Sequence, residues 1–247
     1  MGKPVFKRIL IKLSGEALQG SQKYGIDFGM LQYIADEIID VHNEGVDVGV
    51  VIGGGNIIRG DLAFKKGIER VAGDYMGMLS TAINAIALQS YLEKHDKEVR
   101  LLSAIPMKEI AETFIRRHAI RHLNNKRIVI FACGTGNPYF STDTAAALRA
   151  IEIKAEVLLK ATKVDGVYSE DPVKNPSAKK IDHLSFMEVL QKKLRIMDST
   201  AISLCMENNM PIIVFDINEK GSLKKIIYGE KIGSRIGDLS HVRATLE

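Results

Sequence analysis

Apolar and polar positions along this chain follow two rhythms, one of short β-branched runs and one of helical spacing. Residues 5–13 are apolar and β-branched apart from Lys7, Arg8 and Lys12, and Ser14-Gly15 follow as turn chemistry. The segment predicts a strand with Lys12 at its carboxyl end. Residues 16–25 lose periodicity, and Gly20, Ser21 and Gly25 mark them as the expected mobile loop of the first half. Asp27 then stands as an N-cap, Leu31, Ile34, Ala35, Ile38, Ile39 and His42 recur at helical spacing, and Gly45 occupies the stop position. Residues 46–52 are a near-continuous apolar run, as in a parallel strand buried on both faces, and end at once in Gly53-Gly54-Gly55-Asn56.

The same grammar returns further along. A helix is predicted over residues 73–94, a strand over 99–102, a helix over 109–123 and a strand over 127–132. That strand runs into Gly134-Thr135-Gly136-Asn137-Pro138 and a helix over 142–151. A strand over 156–160, a polar loop over 164–177, helices over 186–194 and 200–208, a strand over 212–215 and a helix over 222–228 complete the chain. Strands alternating with helices predict an α/β fold, a mostly parallel central sheet with helices on both faces in three layers. No repeat or linker divides it, so one domain is expected.

Length and composition narrow the function. The 247 residues, 46% hydrophobic and 26% charged, make an ordinary globular protein with a full core. Thirty-four basic against 30 acidic residues leave +4, interspersed, too weak a bias to argue by itself for a nucleic-acid surface, and it admits anionic small molecules. The basic run Arg116, Arg117, His118, Arg121, His122, Lys126 and Arg127 reads as a solvated helix face. Cys133 and Cys205 stand far apart without a redox spacing, residues 1–8 carry no signal-peptide core, and no apolar stretch reaches the roughly 18 residues of a membrane span. A cytoplasmic protein without membrane contact is expected. The histidines show no metal-ligand spacing, so no protein-held metal is predicted.

The candidate chemistry sits in three turns. Ser14-Gly15, Gly53-Gly54-Gly55 and Gly134-Thr135-Gly136 each follow a strand directly, at the sheet edge where open α/β folds bind ligands and where bare amides meet phosphate. The dinucleotide pattern GxGxxG fails, since Ile58 and Tyr139 fall where its third glycine belongs, and no GxxxxGK[ST] occurs. The cations for a phosphate ligand must therefore come from elsewhere. Lys12, Arg59 and Lys160 lie at or just beyond strand ends, and Asp143 opens a helix from which it can orient them or a hydrated magnesium ion. Asp74, read as lying at a helix start, suits an N-cap as well as a ligand.

Taken together and in order, Lys12-Leu13-Ser14-Gly15, Gly53-Gly54-Gly55-Asn56, Arg59-Gly60, Gly73-Asp74, Gly134 through Asp143, and Lys160-Ala161-Thr162-Lys163-Val164-Asp165-Gly166-Val167-Tyr168 resemble the bacterial uridylate (UMP) kinases, a branch of the amino acid kinase fold family. The resemblance covers residues 5–237. It implies transfer of the ATP γ-phosphoryl group to UMP with Mg²⁺. On the ATP side it places Lys12, Leu13, Ser14, Gly15, Gly55, Arg59, Thr162, Tyr168 and Asp171. On the UMP side it places Gly54, Asp74, Thr135, Gly136, Asn137, Pro138, Tyr139, Phe140, Ser141 and Thr142. Lys12, Arg59, Asp143 and Lys160 would be catalytic. An acceptor-side lobe of about residues 1–150, an ATP-side lobe of about 151–247, a homohexamer and regulation by GTP and UTP are further implications. Two competing readings remain: another kinase of the same fold acting on an amino acid or carbamate, and a nucleotide-sensing protein without turnover.

Overall fold

The computed structural model describes residues 2–58, 67–170, 175, 177–194 and 196–239. A nine-stranded sheet runs through it. Its strands are β1 (Arg8–Leu13), β2 (Asp47–Ile52), β3 (Val99–Ser103), β4 (Glu112–Thr113), β5 (Ile128–Ala132), β6 (Val157–Thr162), β9 (His183–Leu184), β10 (Ile212–Asp216) and β11 (Ser234–Ile236). They lie in the order β4-β3-β5-β2-β1-β6-β10-β11-β9, and the β7 (Val167–Tyr168) and β8 (Lys180–Ile181) pair stands apart. Every pairing in the large sheet is parallel except β10 with β11.

Residue parity along the strands sends side chains into two separate cores. Ile9, Ile11 and Leu13 of β1 join Val157, Leu159 and Ala161 of β6 on one face. There they meet Ile34 and Ile38 of α1 (Phe28–Asn43), Ala85 and Leu88 of α2 (Arg70–Lys94) and Leu223 of α7 (Ser222–Ile227). Leu10 and Leu158 point to the other face. That face is covered by α3 (Arg116–Asn124), α4 (Thr142–Glu152), α5 (Phe186–Gln191) and α6 (Ser199–Glu207), with Ala146, Ala147 and Ala150 letting α4 sit close to the strands. The three-layer α/β architecture expected from the alternation is the one observed.

Local departures have local causes. Residues 5–7 precede β1, and the Val5 N–H bonds the Ile227 carbonyl at 2.8 Å instead of a strand neighbour. The predicted loop over 16–25 begins as a 3-10 helix, Gly15–Gln19, because Ser14 caps it by accepting the Ala17 N–H. The helix predicted from residue 109 starts only at Arg116: Phe114 N–H bonds the Ser103 carbonyl at 2.8 Å and β4 pairs with β3, so the sheet edge captures residues that read as helical. In the other direction, α2 begins three residues before Gly73, with Glu69 as its cap. Asp74 is therefore a full turn inside the helix and is not an N-cap.

Candidate active site

Lys12 and Lys160 are register partners on the adjacent parallel strands β1 and β6. Lys12 keeps the parity of Leu10 and Lys160 that of Leu158, so both lysines emerge on the face covered by α4. The first turn of α4 carries Asp143, and Ser141 caps that helix by accepting the N–H groups of Asp143 and Thr144. The Asp143 carboxylate lies between the two ammonium groups, 2.7 Å from Lys12 Nζ through Oδ1 and 2.8 Å from Lys160 Nζ through Oδ2. The Lys12 contact is a close ion pair outside hydrogen-bond alignment, whereas Lys160 donates to Asp143 and to the Ile196 carbonyl.

Burial works against charge at Asp143, but the positive charges of Lys12 and Lys160 outweigh it and hold the carboxyl below its ordinary range. Burial pushes the Lys160 ammonium below its ordinary value, with the Lys12 charge acting in the same direction and Asp143 opposing both. The Asp198 carboxylate, which receives the Ser141 and Thr144 hydroxyls on either side of Asp143, adds a second negative charge that acts on Lys160.

The turns close around this cluster. A Cβ on Gly15 would stand 2.6 Å from the Gly55 backbone nitrogen and 2.9 Å from the Gly53 carbonyl oxygen, so the β1 and β2 turns touch main chain to main chain. The β2 turn is fastened from below by a buried amide pair. Asn84 Nδ2 donates to Asn56 Oδ1 and to the Gly53 carbonyl, each at 2.7 Å, while Asn56 Nδ2 donates to Asn84 Oδ1 at 3.0 Å. Glycine here serves close backbone packing as well as any ligand.

Two cavities are lined by residues of these turns and strands. One, of about 220 Å³, is lined by Gly54, Gly55, Asp74, Thr135, Ser141 and Thr142 among others. The other, of about 530 Å³, lies beyond the ends of β6 and β10 and is lined by Lys160, Thr162, Val164, Tyr168, Leu194 and Val214 among others. Thr142 borders the first cavity, Asp143 follows it in the chain, and Asp143 holds the Lys160 that borders the second. Of the ion cluster itself, Lys160 lines the larger space, while Lys12 and Asp143 line neither.

Of the residues singled out in the sequence, Gly54, Asp74, Thr135, Phe140, Ser141 and Thr142 come together around the smaller cavity. Gly55, expected on the ATP side, lines that cavity too, because the β2 turn faces the start of α2. Gly136, Asn137, Pro138 and Tyr139 belong to the same loop but do not line it; the Tyr139 N–H donates to Asp74 Oδ2 at 2.8 Å. Thr162 and Tyr168 line the larger cavity, while Leu13, Ser14 and Gly15 line neither. Arg59 and Asp171 lie outside the described residues. Asn84, Thr81 and Asp198 were not anticipated. Asp198 caps α6 and also receives the hydroxyls of Ser141 and Thr144, joining the starts of two helices. The available signal for the first two was a polar residue at a core-facing position of a long helix.

The family model for the amino acid kinase family matches residues 7–216. The chain belongs to the amino acid kinase family. Among solved structures, this chain is similar to the UMP kinase from Bacillus anthracis, with 41% identity over 94% of this chain and 96% of that one and a TM-score of 0.92. It is similar to the UMP kinase from Ureaplasma parvum, with 34% identity over 96% and 100% of the two chains and a TM-score of 0.88. The uridylate kinase from Archaeoglobus fulgidus follows at 27% identity, 93% and 99% coverage and a TM-score of 0.73. No helix among the described residues is long and apolar enough to cross a membrane.

Proposed function

We propose that this chain is a UMP kinase that transfers the γ-phosphoryl group of ATP to UMP, giving UDP and ADP for pyrimidine nucleotide synthesis. The observation that carries the reading is the Lys12–Asp143–Lys160 cluster, whose Lys160 lines the larger cavity and whose Asp143 follows Thr142 of the smaller. The smaller takes the acceptor, with Asp74 toward the ribose and Thr135–Thr142 toward the uracil and monophosphate. The larger takes the adenosine of ATP, with Thr162, Tyr168 and Asp171 as contacts. These linings support an acceptor side of about residues 1–150 and an ATP side of about 151–247.

The chemistry needs no general base. The acceptor is a phosphate whose second pKa is near 6, so its attacking oxygen is already ionised at neutral pH. What opposes transfer is repulsion, since two like charges at about 4 Å cost about 4 kcal/mol at an effective dielectric near 20. Lys12 meets the transferring group, Lys160 the donor phosphates and Arg59 the nucleotide phosphates, while Asp143 keeps both lysines aimed at the phosphates. The Ser14-Gly15 and Gly53-Gly54-Gly55 turns add main-chain donors. Among the described residues no cluster of three potential ligands forms a metal cage. The donor set fits Mg²⁺ arriving with ATP and keeping much of its water, with Asp143 the carboxylate placed to meet that hydration shell. When bound, Mg²⁺ neutralises charge on the phosphate oxygens.

We also propose that the protein works as a homohexamer in the cytoplasm under control by GTP and UTP. The exposed row Tyr75, Leu79, Ile83 and Ile86 on one face of α2 supports self-association. Both cysteines are free and buried, which suits a reducing compartment. UTP presents the same base and sugar to the acceptor cavity as UMP does. A coupled assay of ADP formation with UMP, CMP and dUMP, with and without Mg²⁺, GTP and UTP, tests the reading. Turnover of an amino acid or carbamate with none of UMP would replace it by another kinase of the fold, and binding without turnover by a sensor.

A further inference from the structure

The loop that leaves β5 has an unusual backbone. Cys133, Gly134 and Gly136 all hold positive φ, at 61°, 58° and 80°. For Cys133 that conformation is sterically disfavoured and must be held by its surroundings. Two hydrogen bonds from outside the loop do so. Thr81 Oγ1 accepts the Cys133 N–H at 2.7 Å, and Arg149 Nη2 donates to the Gly134 carbonyl at 3.3 Å.

Arg149 is an odd residue for its place. It is buried on α4 beside Ala145, Ala146 and Ala150, where a guanidinium is costly unless its donors are used. Its Nη1 pairs with Glu152 at 2.5 Å, its Cζ lies 3.7 Å from the Phe114 ring centroid, and its Nη2 donates to the Gly134 carbonyl. Gly134 and Thr135 line the smaller cavity, which Arg149 does not reach.

We propose that Arg149 is a positioning residue that fixes the Gly134-Thr135 turn in the shape that receives the acceptor nucleotide. This rests on reading the 220 Å³ cavity as the acceptor site. The side chain acts through the backbone at the base of the loop, so its loss weakens acceptor binding and leaves the ATP side unaltered.

The test compares wild type with Arg149→Met, which keeps the packing on Phe114, and Arg149→Lys, which keeps the charge beside Glu152 but not the two-armed geometry. Steady-state kinetics and hydrogen exchange of the loop amides are measured on each. Arg149→Met is expected to raise the KM for UMP about tenfold, the worth of one hydrogen bond from a charged donor, with kcat and the ATP KM within about twofold. Exchange at residues 134–137 should quicken, and Arg149→Lys should fall between. An unchanged UMP KM, or losses spread equally over kcat and both KM values, overturns the proposal. Should Arg149→Met fail to fold, Arg149→Lys carries the same comparison. A wild type that does not turn over UMP removes the acceptor reading, whereas unchanged loop exchange in a folded variant refutes the role of Arg149 whatever the substrate.

Discussion

Asp74 Oδ2 accepts the backbone N–H of Tyr139 at 2.8 Å, tying the second turn of α2 to the loop that follows β5. The same oxygen is 2.9 Å from Arg70 Nε, and the Arg70 guanidinium lies 5.4 Å from the Tyr139 ring centroid. A carboxylate so engaged bounds the smaller cavity, and on the proposed reading it shares or exchanges partners when ribose hydroxyls arrive.

Replacing that charge tests the assignment. Asp74→Asn keeps an acceptor for the Tyr139 N–H but loses the ionic hold on Arg70 and the strong acceptor for a ribose. Its KM for UMP is expected to rise roughly tenfold with ATP KM nearly constant. An unaltered UMP KM in steady-state assays would take Asp74 out of the acceptor site.

Lys12→Met preserves the apolar stem within β1 and removes the ammonium. If, as proposed, Lys12 meets the charge that spreads in the transition state, kcat should fall about 10²- to 10³-fold with much smaller changes in either KM. Rapid-quench measurement of the first turnover separates this from slowed product release.

Asp143 carries a pH dependence whose sign follows from its depressed pKa. Its carboxylate stabilises the fold above the ordinary value of about 4, and that contribution is lost as pH falls through the lower folded value. Asp143→Asn should therefore be less stable than wild type near neutrality, and the gap should close in acid. Denaturant midpoints measured across the acid range decide it. Activity should drop as well, since Lys12 and Lys160 lose the group that aims them.

Asn84 is fully buried, and its amide satisfies both the Gly53 carbonyl and Asn56 Oδ1. Asn84→Leu leaves those two acceptors without donors and should cost about 3 kcal/mol of stability. The change should appear as a lower denaturant midpoint with an unchanged slope. Loosening of the triple-glycine turn should raise the acceptor KM as well.

How far the sequence could be read depended on the range of the forces involved. The apolar runs of β1, β2 and β5 announce buried parallel strands, and the N-cap at Asp27 with Gly45 at φ 86° frames α1 from nearest neighbours alone. Residues 109–115 misled because their helical pattern competes with the open edge of β3, a partner far away in the chain. Asp74 misled by a helix start because α2 extends back to Arg70, where Glu69 supplies the cap. Thr81 and Asn84 read as ordinary helix residues because their importance lies in backbone groups of other elements, the Cys133 amide and the Gly53 carbonyl.

The sequence by itself determined which strands are buried, which face of β1 carries Lys12, and where the chain bares its amides in glycine turns, since each follows from local sterics and the two-residue strand period. Only the tertiary structure decided that Lys12 and Lys160 stand side by side with Asp143 between them, with Lys160 lining the larger cavity. That arrangement depends on strand order, on the parallel register of β1 with β6 and on the close seating of α4. These are settled by packing between distant segments, which no local pattern encodes.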